Sequence, residues 1–228
     1  MPENQIATIG VFPQAAFLPL RGECAVAVVC RFLCFGEQMK ALEEKIVKEG
    51  TVLPGDVLKV GSFLNQQIDT VFLKEMAKET GRLFSGCEIT KVLTVEASGI
   101  AFATAVALEL GVPMVFAKKH PSANVSGEQY YAPVYSFTHK TTYTIAVSRE
   151  YLKREDKVLI ADDFLANGNA LKGLISIVDQ AGAKVAGCCA EIEKGFHGGG
   201  DELRKKGYKV ESLAIVERME DGKIIFRE

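Results

Sequence analysis

The run Lys157-Val158-Leu159-Ile160-Ala161 passes directly into Asp162-Asp163-Phe164-Leu165-Ala166-Asn167-Gly168-Asn169-Ala170. An unbroken aliphatic run with no polar alternation predicts a strand covered on both faces. A helix is expected from about Asn169 to Gln180, with Gly182 after it. In an open parallel sheet, ligands bind beyond the carboxyl ends of the strands, so the residues after Ala161 are the first candidates for a site. Two adjacent carboxylates, Asp162 and Asp163, suit a ligand with vicinal hydroxyls or a hydrated divalent cation. The small residues Ala166, Gly168 and Ala170 let main chain approach a bound group, and amides at a helix start attract phosphate. Taken singly, Asp163 reads as a helix cap and Asn167-Gly168 as an ordinary turn. Taken together after one strand, the acidic pair and the amide loop point to a sugar phosphate.

The same alternation recurs on either side. Lys91 to Val95 predicts a strand, Ile100 to Leu110 a helix capped by Gly111, Pro113 to Ala117 a strand, and Lys184 to Ile192 another. Strands alternating with helices predict an α/β fold, a parallel twisted sheet flanked by helices. The loop Glu96-Ala97-Ser98-Gly99, between a strand and a helix, is a second tight turn suited to a phosphate or pyrophosphate. Ahead of these units, Met39 to Glu49 carries Leu42, Ile46 and Val47 on one helical stripe. Thr51 to Val60 holds short strands around Pro54-Gly55. Asp69 caps a helix whose stripe is Phe72, Leu73, Met76, Leu83 and Phe84. Tyr131 to Val147 predicts two antiparallel strands about His139-Lys140, and Lys209 to Phe226 a terminal hairpin turning at Asp221-Gly222.

Composition narrows the class. The chain has 228 residues, 48% hydrophobic and 25% charged, a globular mixture with enough length for a sizeable core. Its 27 Lys and Arg against 29 Asp and Glu give a net charge of −2, which argues against a nucleic-acid partner. No apolar run reaches the roughly 20 residues that span a bilayer, so no membrane partner is expected. The six cysteines read as reduced thiols of a cytoplasmic protein, and without a CxxC pair or a partnering His no metal site is assigned to them.

Residues 1–38 differ from the rest: five charges, no helical periodicity, and neither the basic n-region nor the cleavage site of a secretory signal. They read as a poorly ordered leader, or as an artefactual extension ahead of a true start at Met39, with residues 39–228 as the working domain. Intact mass of the protein from its native source distinguishes the two.

The acidic-acidic-x-x-small-x-Gly pattern resembles the phosphoribosyl pyrophosphate signature of the type I phosphoribosyltransferases. The wider set is similar to the xanthine-using branch: Val57-Leu58-Lys59-Val60, Ser62-Phe63-Leu64-Asn65, Thr94 to Ile100, Val115 to His120, Val134 to Thr138, Asp162 to Gly168, and Glu193-Lys194-Gly195-Phe196. The resemblance covers Met39 to Glu228. It implies a small hood over the sheet and a flexible β-hairpin loop, from Lys118 to Ser136, that closes over substrate. It implies transfer of phosphoribose from phosphoribosyl pyrophosphate to xanthine, with Mg²⁺, in a homodimer. By the same resemblance, Ala166, Asn167, Gly168, Asn169 and Ala170 wrap the 5′-phosphate and Asp162 and Asp163 meet the ribose hydroxyls. Glu96, Ala97, Ser98, Gly99 and Lys119 face the pyrophosphate, and Leu58, Asn65 and Lys194 contact the base. On spacing alone Leu58 is core, Asn65 a cap and Lys194 a solvated lysine; Phe164 and Phe196 are core or stack on the purine. The chain departs from the family in two places: Asn167-Gly168 stands where many relatives have Thr-Gly, and His197-Gly198-Gly199-Gly200 where a Gln-Pro-Gly-Arg-like turn is usual. The alternatives are a transferase for guanine, hypoxanthine or adenine, and a transcription regulator that senses the same sugar donor. The regulator needs an N-terminal helix-turn-helix, for which residues 1–38 are too short and too uncharged.

Overall fold

The computed structural model describes residues 39–119, 127–136, 141–220 and 222–228. The expectations for residues 1–38, for the turn at His139-Lys140, for Asp221 and for residues 120–126 of the closing loop lie outside the described residues.

Helix α1 (Lys40–Glu49) leads into the short hairpin β1 (Thr51–Leu53) and β2 (Val57–Lys59), then a π-helical turn at Gly61–Asn65. Next come α2 (Thr70–Leu83), β3 (Lys91–Val95), α3 (Gly99–Leu110) and β4 (Met114–Ala117). A second hairpin, β5 (Gln129–Ser136) and β6 (Thr141–Ser148), precedes β7 (Lys157–Leu165). The chain closes with α4 (Asn169–Gln180), β8 (Lys184–Lys194), a 3-10 turn at Gly195–His197, α5 (Gly199–Lys205), β9 (Val210–Glu220) and β10 (Lys223–Phe226).

The main sheet runs β10-β9-β8-β7-β3-β4, parallel throughout except for β10. From β3 the chain steps outward through α3 to β4. It then returns to the other side of β3 as β7 and steps the opposite way through α4 to β8. The order therefore reverses between β3 and β7, and a crevice opens there at the carboxyl ends, where ligands of such sheets bind.

Burial explains why β7 reads as an unbroken aliphatic run. Leu159 and Ala161 enter one core with Phe102, Ala103 and Val106 of α3, Met76 and Ala77 of α2, and Leu42 and Ile46 of α1. Val158 and Ile160 point to the other face, with Leu171, Leu174 and Val178 of α4 and Val134 and Ile145 of the second hairpin. A strand sandwiched this way tolerates no polar alternation. The first hairpin and the π-turn join the α1–α3 core through Leu58, Val60, Phe63 and Leu64, forming a hood.

Helix ends follow the expected chemistry. The Asp69 carboxylate accepts from the Phe72 amide at 3.1 Å, and Gly111 closes α3 at φ 68°. Two expectations need correction. Val47 is 63% exposed, because the buried stripe of α1 is only Leu42 and Ile46, one turn apart. The strand expected to end at Ala161 continues to Leu165, because the long β8 offers main-chain partners as far as Leu165↔Glu193. Asp162 and Asp163 are therefore strand residues. The expected hairpin is present: Gln129–Ser136 is strand β5, paired with β6 and docked on α4. Gln180 clasps the Tyr131 main chain (2.8 and 3.3 Å), and Val134 packs where Gly173 leaves space.

Candidate active site

Asp162 and Asp163 lie at the floor of the crevice, 5% and 8% exposed. The Asp163 amide donates to Asp162 Oδ1 at 3.1 Å. Burial, and then the charge of Asp163, push the Asp162 carboxyl well above the usual carboxylate range, while Lys119 pulls it part of the way back. The Tyr143 phenol is raised by burial and by Asp162, and Lys119 Nζ sits 5.3 Å from its ring centroid. The hairpin thus supplies a phenol to this corner that sequence reasoning missed; it was hidden among the alternating Thr and Tyr of an ordinary hairpin strand. Beside Asp163 in register on β8 lies Glu191, 2% exposed, with an unpartnered Oε1 and a pKa raised by burial and by both aspartates. Its signal in the sequence was an acid inside the otherwise apolar Lys184–Ile192 run.

After Leu165 the chain turns through Ala166, Asn167 and Gly168 into α4. Gly168 takes φ 73° at the helix start, a conformation that a side chain disfavours, and Asn169 and Ala170 form the first turn. The amides of that turn are among those a helix start leaves without an intrahelical partner, which suits them to an anion. The loop is held from behind: Lys172 Nζ donates to the Asn167 carbonyl (3.2 Å), Gly199 N to the Ala166 carbonyl (3.1 Å), and Asn169 Nδ2 to the Tyr135 carbonyl (3.1 Å).

Glu96-Ala97-Ser98-Gly99 occupies the other side of the crevice, after β3, with a cis Glu96-Ala97 peptide bond. Ala97 and Ser98 are exposed. The Glu96 carboxylate accepts from the Lys119 amide at 2.6 Å, so it fastens the start of the closing loop to this turn. A Cβ on Gly99 would collide with Thr94 Oγ1 and lie 2.8 Å from Asp162 Oδ1. Thr94 is a buried hydroxyl with no hydrogen-bond partner; it lies in the matching stretch Thr94 to Ile100, but nothing in the sequence singles out its hydroxyl from the other β-branched strand residues.

The base-site candidates are partly gathered. Lys194, at the end of β8, donates from Nζ to the Asp56 carbonyl in the hood hairpin (2.7 Å) and sits 5.7 Å from the Phe164 ring centroid. Burial lowers its pKa, opposed by Asp56. Asn65 is exposed at the end of the π-turn, and Phe196 is exposed and tilted against His197 at 4.7 Å. Leu58, 6% exposed, packs into the hood core.

Among the described residues no group of three or more His, Cys, Asp and Glu is arranged to hold a metal ion. None of the described helices is long and apolar enough to cross a membrane. The thiols of Cys188 and Cys189 are buried in β8 and Cys188 is pushed up to about 12, so they are inert there. A separate groove of about 580 Å³ follows β4, lined by Met114, Phe116, Ala146 and Tyr151 among others, and it reaches Lys118, the neighbour of Lys119.

The phosphoribosyl transferase domain family matches residues 67–221. A xanthine phosphoribosyltransferase from Bifidobacterium adolescentis is 54% identical over 192 residues, 83% of this chain and 100% of that protein. One from Bacillus cytotoxicus is 52% identical over 188 residues, 82% of this chain and 95% of that one. Among solved structures, an adenine phosphoribosyltransferase from Giardia lamblia, complexed with 9-deazaadenine, matches with TM-score 0.65 at 23% identity, covering 80% of this chain and 99% of that one. Another from Trypanosoma brucei gives 0.64 at 18%, covering 76% and 78%. At these identities the solved structures share the fold.

Proposed function

Because the chain belongs to the phosphoribosyltransferase family, we propose that it transfers phosphoribose from phosphoribosyl pyrophosphate to xanthine, giving xanthosine 5′-monophosphate and pyrophosphate. The observation that carries this reading is the meeting of three elements at one topological switch: an amide loop at the start of α4, two buried acids at the end of β7, and a small-residue turn after β3. The sheet supplies the spacing, and relatives about half identical over most of the chain supply the substrate class.

The 5′-phosphate sits on Ala166 to Ala170, whose amides satisfy its oxygens without a fixed cation. Asp162 and Asp163 take the ribose hydroxyls. Ala97 to Gly99 and Lys119 face the departing pyrophosphate. As that group leaves, the ribose carbon gains positive charge, so the enzyme's task is to neutralise the leaving group and keep water away. With no ready three-ligand cage among the described residues, Mg²⁺ fits as an ion brought in on the donor's own oxygens, met by one or two carboxylates. When bound, it supplies charge neutralisation of the pyrophosphate. Lys194 faces the purine edge, where a cation favours the more acidic, dioxygenated base. Its Asp56 contact holds it in place before the base arrives.

The protein works in the cytoplasm as a homodimer on this reading, which the resemblance supports. Turnover with xanthine, guanine, hypoxanthine and adenine is the test: xanthine is expected to give the highest kcat/KM. A preference for another base reassigns the substrate. No turnover with any of the four, together with retained binding of the sugar donor, favours the sensing regulator.

A further inference from the structure

Between the base seat and the phosphate loop lies the turn Gly195–Gly200, and both of its neighbours press on it. A Cβ on Gly199 would collide with main-chain atoms of Ala166, Asn167 and Gly168; one on Gly200 would collide with the Glu193 carboxylate. Glu193 has no exposure and immediately precedes Lys194. Its two oxygens take both terminal nitrogens of Arg204 (2.9 and 2.6 Å), and Ser212 Oγ adds a third donor at 2.6 Å. Arg204 also binds the Val210 carbonyl and Asp201, and Asp201 is gripped in turn by Arg227. On the far side, Lys172 joins Glu202 of α5 to the Asn167 carbonyl of the phosphate loop. The short helix is therefore bolted to β8 at one end and to the phosphate loop at the other.

We propose that Arg204 and Glu193 are positioning residues that act through the Gly199–Gly200 step to set the distance between the phosphate loop and the base seat. The proposal rests on the functional reading above. A nucleoside monophosphate spans both subsites, so a shift of the turn mis-spaces them while leaving each one intact. A forked guanidinium suits this task, because it fixes a carboxylate in two directions at once, which an ammonium does not.

The test compares three ligands by titration calorimetry: xanthosine 5′-monophosphate, which spans the turn, and ribose 5-phosphate and xanthosine, which each lack one end. Arg204→Lys is expected to weaken the spanning ligand by about 30-fold or more, within the ~100-fold that a 1 Å misplacement costs, and each partial ligand by less than about threefold. Glu193→Gln, which keeps the side-chain volume but gives up the charge and one arm of the forked pair, is the second variant should Arg204→Lys fail to fold, and the same pattern is expected. Equal losses for all three ligands, or no loss in a folded variant, overturn the proposal alone. A wild-type protein that binds none of the three overturns the functional reading and the proposal with it.

Discussion

The proposed phosphate loop and the proposed base seat are assembled by different means. Ala166 to Ala170 are consecutive, and their working groups are main-chain amides whose direction is set by Gly168 and the start of α4. The proposed base seat depends on Lys194 reaching across 138 positions to the Asp56 carbonyl of the hood hairpin. A site made of backbone is insensitive to most side-chain changes and sensitive to conformation. A site made of distant side chains is the reverse, and it depends on the hood's packing as much as on its own residues.

Experiments can stress that contrast. The largest effect is expected at the floor shared by both halves: Asp162→Asn with Asp163→Asn should lower kcat/KM by about 10³-fold or more while far-UV circular dichroism is unchanged. Near-normal kinetics would take the acids out of the chemistry. Next, Lys194→Ala should raise KM for xanthine by roughly 10- to 100-fold, the worth of a charge-assisted hydrogen bond, and raise KM for hypoxanthine less. Equal rises for the two purines would show that the lysine does not select by charge.

Leu58→Ala separates the hood's packing from its chemistry. It should cost roughly 2–5 kcal/mol of unfolding free energy, measured by urea denaturation, and leave the ratio of xanthine to hypoxanthine use unaltered. A changed ratio in a stable variant would count Leu58 among the base contacts, as the resemblance implies. The smallest effect concerns the buried acid by itself. With its folded pKa raised above the unfolded value, Asp162 lends stability that is fully present below the unfolded pKa and lost as pH rises through the folded one. Asp162→Asn should therefore melt above the wild type at pH 8, by a few degrees on a scale of roughly 2–4 °C per kcal/mol, with the gap closing toward pH 4. A variant that melts lower at pH 8 contradicts the cost assigned to burial.

Legibility followed the same division. The phosphate loop, the turn after β3 and the alternation of strands with helices were all visible in runs of adjacent residues, because each is a local matter of period, small side chains and helix starts. Tyr143, Thr94 and Asp56 were not. Each is unremarkable among its neighbours and acquires a role only through what the fold sets beside it: Asp162 for Tyr143, the Gly99 approach for Thr94, and Lys194 for Asp56. The extent of β7 exceeds the aliphatic run for a related reason. A strand ends where its partner stops offering hydrogen bonds, and that partner, β8, lies elsewhere in the chain.

By itself, then, the amino-acid order determined the element types, the parallel sheet and the two anion-ready turns, since these arise from interactions among near neighbours. Only the tertiary structure decided how deeply Asp162 and Asp163 are buried, which carboxyl stands beside them, and how Glu193 and Arg204 clamp the turn between the two subsites. Those outcomes depend on strand order and register, which bring distant residues into a shared low-dielectric interior where a charge must find a partner or keep its proton.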